Sequence, residues 1–148
     1  MSASVPNLTV YEQARQEHEM IRERLKFLHR QLEQQQVPLN EVERLLKELR
    51  DCLNTHFHNE EREGFFDQIV TRAPQLSQQA DSLTREHVEL LQDLDALILF
   101  AECGSGQPLC WQTLTLRFQD FMKKLMHHES EENGMLQQAY VDDLGTKD

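Results

Sequence analysis

The sequence predicts an all-α protein, an up-down-up-down antiparallel four-helix bundle, and three observations support this prediction. Four segments repeat apolar residues at the three- and four-residue spacing of an amphipathic helix. Only five Gly and four Pro occur in 148 residues, which suits long helices better than a fold rich in strands. The breaks between the segments are short, near residues 34–39, 71–76 and 103–108, and short connections make consecutive helices antiparallel.

The four apolar stripes can be followed along the chain. The first contains Tyr11, Ala14, His18, Ile21, Leu25, Leu28 and Leu32, and the second contains Val42, Leu45, Leu46, Leu49, Leu53, His56 and Glu60. The third contains Ala80, Leu83, His87, Leu90, Leu91, Leu94, Leu97 and Ile98, and the fourth contains Leu114, Phe118, Phe121, Leu125, His128, Glu132 and Met135. Each stripe is long enough for a helix that crosses a whole domain.

Capping boxes predict where the first two helices begin. In Thr9-x-x-Glu12 and Asn40-x-x-Glu43, the first side chain accepts from the backbone N–H three residues later, and the glutamate accepts in return. We expect one domain over residues 1–148, with a helical core at about 9–140 and short frayed termini. Glycine 64 lies soon after the polar positions of the second helix, where either a helix end or a bend would fit.

Composition and charge narrow the range of possible functions. The net charge of −11 disfavours nucleic acid and anionic membranes as partners and favours the uptake of cations. The three cysteines form no CxxC pair of the kind that binds zinc, and free thiols are expected in a reducing cytosol. The chain starts without a signal-peptide pattern and has no apolar run of about 18 residues, so we expect a cytoplasmic protein.

Six polar residues lie on the apolar stripes. Every helix contributes a histidine, and the second and fourth helices add a glutamate four residues later: His18, His56, Glu60, His87, His128 and Glu132. One such histidine is more often a hydrogen-bonded core residue than a metal ligand. Isolated buried carboxylates, however, cost on the order of several kcal/mol unless a charged partner compensates them. Four histidines and two glutamates together therefore predict a pair of metal ions.

The spacing of these residues predicts that they meet in one layer. His18 and His56 each lie 19 residues from the turn at residue 37, while His87 lies 19 residues before residue 106 and His128 lies 22 after it. Equal distances from a turn give equal heights in antiparallel helices. The pattern H…HxxxE also occurs twice, with offsets of 69 and 72 residues, which suggests two related hairpins that each supply half of a site.

The phase of the helices separates these histidines from the others. Three, seven and ten residues before His127 stand Lys124, Asp120 and Arg117, whereas the same positions before His128 hold Leu125, Phe121 and Phe118. His128 with Glu132 is therefore favoured over His127 with Glu131. His58 is about 200° around its helix from the stripe, and His29 is about 16 Å further along the first helix than His18.

With these residues assembled, the chain resembles the hemerythrin-like, HHE cation-binding domains over about residues 9–140, in the branch with the pattern H-HxxxE-H-HxxxE. The resemblance implies an up-down bundle around two non-haem iron ions that are bridged by carboxylates and an oxo group. On that basis Glu60 and Glu132 are the bridges and the four histidines are terminal ligands. Imidazole and carboxylate donors also suit iron better than they suit thiophilic metals. The sequence leaves open which histidines share an iron.

Two departures from the oxygen-carrying hemerythrins affect the expected function. Those carriers have a second histidine where this chain has Leu91, and an aspartate where it has Asn133. The resemblance therefore favours the branch associated with nitric oxide or peroxide response, iron handling and iron-sulfur repair over stable oxygen carriage. A symmetric centre of four histidines and two glutamates would leave both irons open.

Four functions follow from this interpretation. The first is binding or sensing of O₂, NO or peroxide, with a small diatomic molecule or peroxide as the partner. The second is a di-iron enzyme that acts on peroxide or NO, and the third is iron storage or delivery. The fourth is a helical interaction module with satisfied core histidines, which would leave two buried glutamates without a cation. The sequence indicates no nucleic-acid or membrane partner and identifies no protein partner.

Overall fold

The computed structural model describes residues 5–62, 64–104 and 106–142, and the side chains among them from residue 11 to residue 140. The helices are α1 (Val5–Gln34), α2 (Leu39–Arg62), α3 (Phe65–Arg72), α4 (Ser77–Cys103) and α5 (Pro108–Leu136). A 3-10 turn at Pro74–Leu76 precedes α4, and a π-helical segment, Gln137–Asp142, continues α5. The described backbone contains no strand. Of the predicted frayed ends, about residues 1–8 and 141–148, the stretches 1–4 and 143–148 lie outside the described residues, while residues 5–8 and 141–142 are helical.

The four long helices form the predicted bundle. α1 packs against α2 and α5, and α4 packs against the same two helices. The connections at residues 35–38 and 104–107 are short, so the helices that they join run antiparallel. The prediction of an antiparallel four-helix bundle is therefore confirmed. No helix in the described ranges is long and apolar enough to cross a bilayer.

Both predicted capping boxes are wrong about the helix starts. α1 begins at Val5, so Thr9 lies inside the helix and is not its N-cap. α2 begins at Leu39, directly after Pro38, whose carbonyl accepts a hydrogen bond of 3.0 Å from the Glu41 N–H. With α2 starting at Leu39, Asn40 lies within the first turn of the helix and is not its N-cap. The pattern marks a favourable start, but it does not stop a helix from extending upstream.

The connection between α2 and α4 is longer than predicted. It covers residues 63–76 and contains α3, whereas the sequence indicated only a break near residues 71–76. Gly64 precedes α3 with φ of 96°, in the left-handed region that glycine adopts without steric cost. Its carbonyl accepts the Gln68 N–H at 2.8 Å. Gly64 therefore lies between the end of α2 and the start of α3, where the sequence had left a helix end or a bend open.

Two apolar clusters fill the bundle, and they leave a polar layer between them. The leucine cluster extends from Ile21 to Leu125 and includes Leu25, Leu32, Leu46, Leu49, Leu53, Phe57, Leu94, Leu114 and Phe118. The end cluster joins α3 to the ends of the long helices and includes Ala14, Phe65, Phe66, Ile69, Leu83, Met135 and Tyr140. On α1, α4 and α5 the predicted site residues stand between members of these two clusters, and on α2 they lie towards the helix end that precedes the end-cluster residues of α3. The fold therefore buries them at one height.

Candidate metal centre

The structure brings all six predicted residues together in the polar layer. Their exposed fractions lie between 0 and 4 %, for His18, His56, Glu60, His87, His128 and Glu132. They form two groups in which the potential donor atoms all lie within 4.8 Å of one another. One group contains His18 and His56, the other contains His87 and His128, and Glu60 and Glu132 belong to both. Each group can hold one metal ion.

Each carboxylate faces both groups with different oxygens. In Glu132, Oε1 lies 2.9 Å from His18 Nε2, and Oε2 lies 2.8 Å from His128 Nε2. In Glu60, Oε2 lies 3.1 Å from His56 Nε2, and Oε1 lies 3.1 Å from His87 Nε2. A carboxylate that offers one oxygen to each of two neighbouring positions has the orientation of a metal bridge.

Several of these buried atoms fit a cation better than a hydrogen bond. His56 Nε2, His128 Nε2, Glu60 Oε1 and Glu132 Oε1 have no hydrogen-bond partner among the described residues, although oppositely charged atoms lie close by. A buried polar atom without a partner costs about 1–3 kcal/mol. A metal ion in each group would satisfy these atoms together, and the donor set of imidazole and carboxylate suits iron.

The outer nitrogen of each imidazole is also held. Each Nδ1 contacts an acceptor oxygen: Asn133 Oδ1 at 2.9 Å from His18, Glu17 Oε1 at 2.6 Å from His56, Glu61 Oε2 at 2.6 Å from His87, and Glu86 Oε1 at 2.7 Å from His128. These oxygens only accept, so each Nδ1 carries the proton and donates. Each Nε2 is thereby left to face the carboxylates, which is how proteins orient metal-binding imidazoles.

The chain also matches a known protein family. The family model described as the hemerythrin HHE cation-binding domain matches residues 9–140. The chain belongs to the hemerythrin HHE family. No curated protein and no solved structure matches it. Membership confirms the resemblance in the sequence and supports cation binding by this HHE domain.

Sequence reasoning missed the four Nδ1 acceptors, although they follow a simple rule. Glu17 and Glu86 directly precede the histidines of α1 and α4, while Glu61 and Asn133 directly follow the glutamates of α2 and α5. The internal repeat of this HHE domain therefore extends beyond the six residues. These acceptors lie on the edges of the apolar stripes, where an acidic residue resembles ordinary surface charge.

The carboxylates of the polar layer raise the pKa values of its histidines. Burial alone would lower the pKa of His18, but the adjacent carboxylates of Glu132 and Glu60 outweigh it and raise that pKa to about 11. The same balance raises the pKa of His56 to about 9 and that of His87 to about 10. Burial would raise the pKa of Glu132, yet its histidine partners hold it well below the ordinary value. Because an imidazole nitrogen must be deprotonated to bind a metal, metal binding in this layer would release protons.

The remaining histidines lie away from the layer. His127 is 75 % exposed and lies 3.6 Å from Glu131 in a surface ion pair. His58 is exposed, and His29 is partly buried with a 3.0 Å contact to Gln119. Asn133 occupies the position at which the oxygen carriers have an aspartate, and its side-chain oxygen accepts a hydrogen bond from His18 Nδ1.

A seventh buried polar residue was also missed. Glu129 is 1 % exposed, and neither of its carboxylate oxygens has a hydrogen-bond partner in the described part of the chain. Burial raises its pKa to about 7, against the opposing influence of His18 and His56. Its position four residues after Leu125 on the apolar stripe was the available sequence signal.

Proposed function

We propose that this HHE protein is a non-haem di-iron protein that binds or senses O₂, NO or peroxide. The observation that carries the proposal is the pair of four-residue groups that share two carboxylates. The proposed ligands are His18, His56, Glu60, His87, His128 and Glu132. The family supports cation binding, and the donor chemistry supports iron as the cation.

The grouping also supports a division of the ligands. His18 and His56 would hold one iron, His87 and His128 would hold the other, and Glu60 and Glu132 would bridge the two. Each iron would then have four protein donors, and six-coordinate iron would keep roughly two positions for other ligands. A structural zinc site, by contrast, is closed by about four ligands in total. Bound iron would supply a Lewis-acidic, redox-active position for a small ligand.

The chain's own residues would prepare the centre for this task. The Nδ1 acceptors hold each imidazole in the tautomer that presents Nε2 to the metal. The leucine cluster and the end cluster cover the layer from both sides and limit its contact with water. The overall charge of −11 attracts cations to the protein. A cytoplasmic location stays a prediction from the sequence.

A di-iron enzyme that acts on peroxide or NO is the second candidate. A cavity of about 300 Å³ is lined by His56 and Glu60, so a small substrate has space beside two of the proposed ligands. Under this alternative the same six residues hold the irons, and the difference lies in turnover. Iron storage or delivery would use the same ligands with exchangeable iron.

One set of measurements separates these functions. Iron-loaded, reduced protein would be mixed anaerobically with O₂, NO or hydrogen peroxide while its optical spectrum is recorded. If the protein binds or senses one of these molecules, its spectrum should change, and each chain should consume about one equivalent of that molecule. Continuous consumption of peroxide or NO would favour the enzyme, and transfer of iron to an apo acceptor would favour delivery. An iron-loaded protein whose optical spectrum is unchanged by all three molecules would contradict the proposal.

A further inference from the structure

A surface groove runs along the seam between α1 and α2, and we name it the α1–α2 groove. Two neighbouring cavities of about 510 and 210 Å³ form it, and they share Arg24 and Glu48 in their walls. Along α1 the lining extends from Glu17 to Phe27, a distance of about 15 Å at the rise of about 1.5 Å per helical residue. The groove is therefore about as long as three turns of a further helix.

Apolar side chains line the α1–α2 groove and are open to water. Met20 and Phe27 are 57 % and 44 % exposed, and their spacing of seven residues places them on one face of α1, about two turns apart. The other apolar lining residues belong to the leucine cluster or pack against it: Ile21, Leu28, Leu45, Leu49 and Cys52. The leucine cluster therefore reaches the surface along this seam.

The charged lining of the groove is mostly acidic. Among the described residues, it consists of four carboxylates and one guanidinium, those of Glu17, Glu23, Glu48, Asp51 and Arg24. Neighbouring side chains already pair with two of these carboxylates, His56 with Glu17 and Arg44 with Glu48. The carboxylates of Glu23 and Asp51 are exposed and still outnumber the one guanidinium. The groove is thus apolar along its length and negative at its edges.

This combination favours one kind of partner. An apolar strip between two antiparallel helices accepts the apolar face of a third helix, whose side chains repeat at the same three- and four-residue spacing. Acidic edges attract lysine and arginine on that helix, and they repel nucleic acid and anionic membranes. A second copy of this chain would bring the same acidic edges and a net charge of −11, which disfavours self-association through this seam.

We propose that the α1–α2 groove is a docking surface for a basic amphipathic helix of another protein. Apolar side chains of that helix contact Met20 and Phe27, and its lysines or arginines pair with Glu23 and Asp51. These docking contacts are made by side chains other than the proposed iron ligands, so they do not depend on the proposed function. The docked helix covers the part of the leucine cluster that reaches the surface.

Two synthetic peptides serve as probes of the groove. The first is about 14 residues long, with leucine at helical spacing and lysine elsewhere, and the second has glutamate in place of each lysine. Each labelled peptide would be titrated with the 148-residue chain and followed by fluorescence anisotropy. A salt concentration of about 0.15 M screens attraction between distant charges. We expect the lysine peptide to bind and the glutamate peptide not to bind.

Three variants that add the same charge separate docking from general attraction to an acidic protein. Met20→Glu and Phe27→Glu each place a carboxylate in the apolar strip, and each should weaken binding of the lysine peptide by about tenfold or more. Leu116→Glu is the matched control, because Leu116 is 56 % exposed on α5 and lies outside the groove. This control should bind within about twofold of the parent. Met20→Glu gives a second measurement if Phe27→Glu folds poorly.

Attraction by net charge alone predicts the opposite result, since each added carboxylate would then strengthen binding of the lysine peptide. Equal affinities for the three variants, or equal affinities of the parent for the two peptides, would overturn the docking surface. A parent chain that binds no lysine peptide would overturn it as well. A parent dimer that Phe27→Glu converts to a monomer, as measured by sedimentation, would also overturn it, because a second copy would then occupy the groove.

Discussion

The leucine cluster and the polar layer lie on the same four helices, yet they depend on different partners. The residues of the leucine cluster are buried by one another, so the cluster needs nothing beyond the chain. The polar layer buries histidines and glutamates, and several of their atoms lack hydrogen-bond partners among the described residues. In the proposed di-iron centre, two cations would replace those partners. The contribution of the leucine cluster to the free energy of unfolding should therefore be the same with and without metal. The contribution of the polar layer should depend on metal.

The largest effect should come from removing a ligand. His128→Ala deletes one donor of the group formed with His87 and leaves Glu132 with fewer partners. Since changes around a metal site that spare its ligands already cost about 10–100-fold in affinity, we expect a greater loss here. Metal analysis should show reduced iron per chain, and the thermal midpoint should approach that of the metal-free parent. A variant that keeps both irons would contradict the assignment of His128.

A substitution in the leucine cluster should behave differently. Leu94 is fully buried, so Leu94→Ala should lower the free energy of unfolding by about 2–5 kcal/mol. The loss should be the same for iron-loaded and metal-free protein, because Leu94 lies outside the polar layer. Denaturant unfolding of both forms measures it. A loss confined to the iron-loaded form would mean that the two regions are coupled.

The pH dependence of the metal-free protein tests the proton-filled layer. The pKa values of His18, His56 and His87 are raised from 6.5 to about 11, 9 and 10, so these protons stabilise the fold fully below about pH 6.5. That stabilisation should disappear as the pH rises from about 6.5 through the folded-state values, at about 1.4 kcal/mol per pH unit for each retained proton. Metal competes with these protons, so the stabilisation by iron should grow over the same interval.

Thermal unfolding with and without iron, between pH 6 and 9, measures both trends. Metal-free protein should lose stability across this interval, and the difference between the two forms should widen. Metal-free protein that gains stability as the pH rises would contradict the raised pKa values of these histidines.

The smallest effect should come from the histidine next to the ligand. His127 is 75 % exposed, so His127→Ala should change the unfolding free energy by less than about 0.5 kcal/mol. It should also keep both irons, as metal analysis would show. Loss of iron in this variant, with retention in His128→Ala, would mean that α5 is rotated by about 100° and that Glu131 replaces Glu132.

The sequence predicted the bundle and the layer because both depend on periodicity and distance along the chain. Helical phase separated His128 from His127, and equal distances from the turns placed the histidines at one height. Helical phase is a property of one helix, and height in the bundle is a property of one hairpin, so neither depends on which helices become neighbours.

What the sequence left open depends on contacts between helices. The pairing of His18 with His56 follows from the packing of α1 against α2, and the role of Asn133 follows from the packing of α5 against α1. The ligand pattern suggested a symmetric centre, but the symmetry is only partial, because Phe57 and Glu129 give the two halves different surroundings. The short helix α3 was missed because eight residues give too short a stripe to recognise.

The iron content of the native protein tests the central claim most directly. Protein expressed with ample iron and purified anaerobically would be analysed for all transition metals, and its optical spectrum would be recorded after oxidation. The six converging residues proposed as ligands predict about two irons per chain and a charge-transfer band near the ultraviolet edge. One zinc per chain and no iron would contradict the di-iron account.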